Sequence, residues 1–265
     1  MTTSEKRRSF PKIELTDAEA GALEFPSSKS RQFSYFKPAK LRATVYEDVT
    51  VDVQPDPERH LTQGWIYGFG NGPGGYPQEW TAARSSNWHA FRDPNEEWEQ
   101  TIYRNNSAVV RQTSLSLQNA KRARAYEGFN SAWLKFLAHN VGAWMHAENG
   151  LALHVFTAIQ RSAPTNMINN AVSVTAAHKL RFAQDLALFN LDLSEEVNDF
   201  DGQAHKEIWQ SAPEWQPTRE VVERLTAVED WCELLFATNV VFEQLVGCLF
   251  RSELVMQIAA RNGDY

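Results

Sequence analysis

Residues 168–193 read INNAVSVTAAHKLRFAQDLALFNLDL, and within them Ile168, Val172, Thr175, Lys179, Phe182, Leu186, Phe189 and Leu193 recur at spacings of four and three. That period places all eight on one stripe of an α-helix, the pattern of a bundle seam. The neighbouring segments repeat the theme. Upstream, separated by Pro164, SAWLKFLAHNVGAWMHAENGLALHVFTAIQ (131–160) reads as a second helix, with Gly142 and Gly150 as expected bends. Further upstream, FRDPNEEWEQ carries a start signal: Asp93 as cap, Pro94 at the first helical position and Glu96 completing a capping box. That helix is expected to run to about Tyr126, with Gly128 as its stop.

Downstream, past the loop around VNDFDGQ and a short helix through Trp209, Pro213 and Pro217 introduce the stretch 218–263. At 3.6 residues per turn, Trp231, Leu235, Phe242, Leu245, Leu249 and Met256 share one face of it. At least four helices of about 25 to 30 residues, against a usual mean of about 11, predict an all-α chain whose residues 93–265 form a large antiparallel helical bundle.

Residues 1–92 are written differently. They carry many glycines, prolines and aromatics with little periodicity, apart from KLRATVYEDVTVDV (40–53), which alternates like a short strand. This region reads as an extended, irregular arm. Its rings, Phe33, Tyr35, Phe36, Trp65, Tyr67, Phe69, Tyr76, Trp80 and Trp88, need burial either against a partner or against the chain's own helices.

The arm also holds GFGNGPGGYPQEW (68–80), in which Gly70-Asn71-Gly72-Pro73-Gly74-Gly75 matches the dinucleotide-binding pattern. That chemistry needs a strand before the glycines, a helix after them and an acidic residue closing a second strand. Here Gly64 and Gly68 interrupt the preceding segment, Pro77 and two large rings follow, and Glu96 and Glu97 fall at a helix start. The stretch is read as a Gly-rich connection, with no cofactor-binding residues assigned.

A formal net charge of −7 argues against a nucleic-acid footprint, and the cluster Lys121, Arg122 and Arg124 reads as a solvated helix end. Cys232 and Cys248 would lie about 24 Å apart along one helix, too far to bridge. The most apolar segment, LLFATNVVFEQLVGCLF, is interrupted by Glu243 and Gln244, short of the roughly 18 apolar residues of a membrane span. The start, MTTSEKRRSFPKIEL, has no apolar signal-peptide region. A soluble, cytoplasmic protein with no membrane or nucleic-acid partner is expected.

Long bundles often house di-iron sites built from inward Glu and Glu-x-x-His motifs. The histidines are His60, His89, His139, His146, His154, His178 and His205; three positions before them stand Pro57, Ser86, Phe136, Ala143, Leu151, Thr175 and Gly202, none acidic. His139, His146 and His154 fall within about 80° of one another on an ideal helix, with Glu148 on a different side. They are read as helix histidines hydrogen-bonded within the bundle or at an interface. There is no C-x-x-C, P-loop or G-x-S-x-G, and the pairs Glu96-Glu97 and Glu195-Glu196 fit helix starts or loops. No catalytic, cofactor-binding or metal-binding residue is assigned to this chain.

Three blocks carry a resemblance: FSYFKPAKLRATVYEDVT, GWIYGFGNGPGGYPQEWTAARSSNWHAFRDPNEEWEQTIYRNNSAVVRQ and LFRSELVMQIAARNGDY, spanning the chain from Phe33 to its end. In these the chain resembles the small (beta) subunits of the hydroxylase component of soluble multicomponent di-iron monooxygenases, the propane 2-monooxygenase type among them. The resemblance implies a ferritin-like bundle without di-iron ligands, packed against a large (alpha) subunit that has them, with Gly68 to Gly75 in or beside the subunit interface. It further implies a coupling protein and a separate NADH-dependent reductase carrying FAD and [2Fe-2S], two copies of each hydroxylase subunit, and hydroxylation of a small alkane, ketone or phenol. Members of that family continue with further helices beyond the position of Tyr265, which leaves truncation of this chain open. Two other readings compete: a divergent ferritin-like di-iron oxidase active on its own, and a free-standing helical binding protein.

Overall fold

In the computed structural model, residues 43–51, 81–86, 88–163, 165–198 and 200–264 are described. The contacts divide the chain into two units, residues 1–53 and 54–265. The glycines of 68–75 and the arm's rings, Trp88 excepted, lie outside the described residues. In the first unit, Val45–Val51 form a helix, α1, not the expected strand. Thr44 and Glu47 explain the difference: the Glu47 amide donates to Thr44 Oγ1 at 3.2 Å while the Thr44 amide donates to Glu47 Oε2 at 2.9 Å. This reciprocal capping box satisfies two end donors and overrides the period-two pattern of the valines.

The second unit is all-helical among the described residues, as the seam pattern predicts. Helix α2 spans Glu99–Arg122. It begins later than expected because Asp93 caps a turn of its own, accepting from the amides of Asn95 and Glu97. Glu96 there adopts φ 47°, a left-handed conformation that no helix continues through. Trp98 then donates its amide to Thr101 Oγ1 at 2.8 Å to open α2.

Helix α3 (131–162) and helix α4, Asn166–Glu196, are the two central elements. Thr165 caps α4 by accepting from the Ile168 amide. Of the α4 seam, Ile168, Val172, Lys179 and Leu193 are buried and the remaining four half-buried. In α3, Gly142 and Gly150 are helical and mark changes of hydrogen-bond register: π-helical turns occupy Leu137–Gly142 and Leu151–Phe156. A β-carbon on Gly142 would sit 2.8 Å from that of His205, so the missing side chain lets helix α5, Ala204–Ser211, pack closely there. The carbonyl of His139, inside the first π turn, accepts from the Trp215 indole at 2.8 Å, which keeps that backbone group satisfied.

Helix α6, Gln216–Leu225, and helix α7, Trp231–Asn262, replace the single expected C-terminal helix. Asp230 makes the break. Its Oδ1 accepts from the amides of Cys232 and Glu233, and its Oδ2 from Ala82 at 2.6 Å. Half of α7 is π-helical, over Ala237–Gly247 and Leu249–Glu253. With i→i+5 bonding a turn takes more residues than the α-helical 3.6, so the expected face drifts out of phase. Trp231 and Phe242 are buried as expected, but Leu245 is 70% and Met256 69% exposed. By length and composition α7 is apolar enough to cross a membrane, contrary to the reading based on Glu243 and Gln244.

One core gathers Trp144, Leu151, Val155, Phe156 and Ile159 of α3 with Ile168 and Val172 of α4 and Trp231, Leu234 and Phe242 of α7. A second core, around Trp133, Leu137 and Leu193, closes the end near Tyr126 and Phe200.

Candidate functional site

The centre of the bundle is charged. Glu148 of α3, Lys179 of α4 and Glu243 of α7 are all buried. The Lys179 ammonium donates to Glu148 Oε2 at 2.9 Å and also to Glu243 Oε1. Glu148 Oε1 accepts from the Trp144 indole at 3.0 Å. Arg251, one side of which reaches solvent, lies 2.7 Å from Glu243 Oε2 as an ion pair without hydrogen-bond alignment. Two acids and two bases thus form one neutral chain across three helices. Burial pushes the Glu148 pKa up, and the Lys179 charge works against that shift.

Trp144 covers this chain, stacked on Phe250 at 4.9 Å and on Phe242 at 6.0 Å. Gly247 makes room for it: a β-carbon there would lie 2.4 Å from Glu243 Oε2.

The histidines singled out in the sequence take different partners. His139 pairs with Glu214, and His154 is exposed on the wall of an open groove that His146 also lines. His146 Nε2 meets His205 Nδ1 at 2.9 Å, joining α3 to α5. Burial, with His205 and Lys206 adding to it, lowers the His146 pKa to about 4, and burial also lowers that of His205. Between two neutral rings one nitrogen donates and the other accepts. Among the described residues no three His, Cys, Asp or Glu converge as metal ligands.

One member of each carboxylate pair is a tether. Glu97 accepts from His178 at 3.0 Å and from Asn105 at 3.1 Å, fastening the start of α2 to α4; the His178 hydrogen bond holds the Glu97 pKa low. Glu196 and Asp192 of α4 both pair with Lys121, so that member of the basic cluster is neutralised within the fold. Cys232 and Cys248 are free thiols. An apolar cavity of about 510 Å³ lies between Trp88, Phe91, Ile168, Val172, Trp231 and Leu235, with Cys232 on its wall. No acid–base pair faces it.

Sequence reasoning placed Lys179 on the seam but missed its partners. The signal was present: Glu148 and Glu243 each interrupt a strongly apolar stretch, and buried charges must be paired.

The family profile described as Methane/Phenol/Alkene Hydroxylase matches residues 65–265. The small subunit of the propane 2-monooxygenase hydroxylase component from Rhodococcus jostii (strain RHA1) is 80% identical over 264 residues, covering 100% of this chain and 72% of that protein. The corresponding subunit from Gordonia sp. (strain TY-5) is also 80% identical, over 98% of this chain and 71% of its own. Among solved structures, xenon-pressurized phenol hydroxylase from Pseudomonas sp. OX1 superposes with a TM-score of 0.71 at 21% identity, over 84% of this chain and 66% of that one, a likeness of fold.

Proposed function

The chain belongs to the methane, phenol and alkene hydroxylase family as a small-subunit member, and from that premise we propose that it is the structural, non-catalytic partner of an iron-bearing large subunit. The observation that carries this is the 80% identity to a hydroxylase small subunit along the whole of the chain. The donor set supports it: a di-iron centre needs several carboxylates and imidazoles converging, and the bundle centre offers two carboxylates already held by a lysine. No step of the reaction is assigned to this chain's residues.

In this proposal the assembled enzyme hydroxylates a small alkane, propane foremost, in the cytoplasm. Electrons from NADH reach the large subunit through a reductase with FAD and [2Fe-2S], a coupling protein regulates the complex, and each hydroxylase subunit is present twice. An exposed apolar stripe on α7, with Phe236, Val240, Leu245 and Leu249, supports a role in assembly. Native mass spectrometry with metal analysis, after tagging this chain in its host, tests the reading. A one-to-one complex with a larger, iron-bearing chain is expected. Recovery of this chain alone with bound iron would instead favour a di-iron oxidase in its own right.

A further inference from the structure

We infer that Lys179 is the bundle's own cation: its ammonium sits between Glu148 and Glu243, contributed by two facing helices, where a carboxylate-built bundle site would seat a metal ion. The inference stands on the geometry and is independent of the proposed role in a hydroxylase.

Metal sites in helical bundles are made from carboxylates on facing helices that project to one point. Glu148 from α3 and Glu243 from α7 do so here, and both are shielded from solvent. What they meet is a third helix's ammonium, which donates to an oxygen of each. A lysine brings one compact positive charge with three donors on a flexible stem, sufficient to satisfy two carboxylates without a fixed coordination geometry.

Two further features fit a cation position. Glu243 Oε2 is buried without a hydrogen-bond partner and is balanced by charge alone, from Arg251 at 2.7 Å. The backbone beside it is Gly247 within a π-helical segment, and a β-carbon there would lie 2.4 Å from Glu243 Oε2, so the carboxylate would have to shift. The register of α7 and the missing side chain together admit Glu243 to the centre. Exchanging the lysine for a third carboxylate therefore leaves a dry, acidic site open to a divalent ion, which hard oxygen ligands favour.

The experiment uses the full chain and Mn²⁺, followed by loss of the free-ion EPR signal and by the thermal midpoint. Wild-type protein is expected to take up none. Lys179→Glu should bind one Mn²⁺ per chain and melt higher as Mn²⁺ is added. Adding Glu148→Gln or Glu243→Gln to that variant should weaken binding by more than the roughly 10- to 100-fold that losing an outer-shell partner of a ligand costs.

A folded Lys179→Glu protein that ignores Mn²⁺ overturns the inference, as does Mn²⁺ binding by wild type that survives Glu148→Gln. If Lys179→Glu does not fold even with Mn²⁺, Lys179→Met is compared with the neutral triple variant Glu148→Gln/Lys179→Met/Glu243→Gln. Recovery of the midpoint in the triple supports a charge-balancing cation. Equal loss in both would show that Lys179 acts by packing alone and would also overturn the inference.

Discussion

At the scale of single residues, the most consequential positions are those where a charge or a missing side chain meets the core. Gly247→Ala tests the second kind. Alanine improves helix propensity by about 1 kcal/mol, but displacing Glu243 from its buried partners costs about 3 to 5 kcal/mol. A net loss of some 2 to 4 kcal/mol is expected in urea unfolding, and an unchanged or raised midpoint would contradict the packing described. The His146–His205 contact makes a prediction about pH. Both folded-state pKa values are depressed, so the unfolded chain binds more protons below about pH 6.5. Stability is thus full above that pH and falls as pH drops towards 4, by about 2 kcal/mol after allowing for partial exposure. His146→Gln should flatten that limb of the stability–pH curve. Neither pairing was legible in the sequence, because His205 and Glu243 meet their partners only after distant helices pack. Lys179 was legible as a seam residue, though not as an ion.

At the scale of elements, helix existence followed from periodicity while helix ends and phase followed from local hydrogen bonding. Asp230 shows this well. It separates α6 from α7, caps α7 and also ties down the Ala82 amide. Burial raises its pKa, but the hydrogen bonds from Ala82, Thr81, Glu233 and Cys232 outweigh that and hold it low. Its contribution is present at neutral pH and lost as pH falls through the carboxylate range. Asp230→Ala should cost about 1 to 2 kcal/mol at pH 7 and less at pH 3, measured by denaturant unfolding at both. The cap's signature, Asp230 followed by Glu233, stood in the sequence, as did the Thr44–Glu47 box of α1. The π-helical register of α7 did not, since the wider turn is chosen by what it brings inward: Thr238, Phe242, Glu243 and Gly247 face the core. The exposure of Leu245 and Leu249 follows from the same choice.

At the scale of the whole molecule, those exposed residues bear on assembly. Leu245→Glu/Leu249→Glu should leave the isolated chain within about 0.5 kcal/mol of wild-type stability, as for solvent-facing sites. If α7 docks on the large subunit, the same change should weaken the complex by about 2 kcal/mol or more, read by titration calorimetry or pull-down of the tagged pair. Undiminished association would place the interface elsewhere on this chain. The sequence by itself determined the all-α class, the α4 seam and the family, because apolar spacing and extended residue identity are one-dimensional properties that survive without coordinates. Only the tertiary structure decided the ion chain at the bundle centre, the different partners of His139 and His146, and the outward face of α7. Each of these depends on which helices pack together and in what register. A buried charge declares its role only when its partner arrives from another helix.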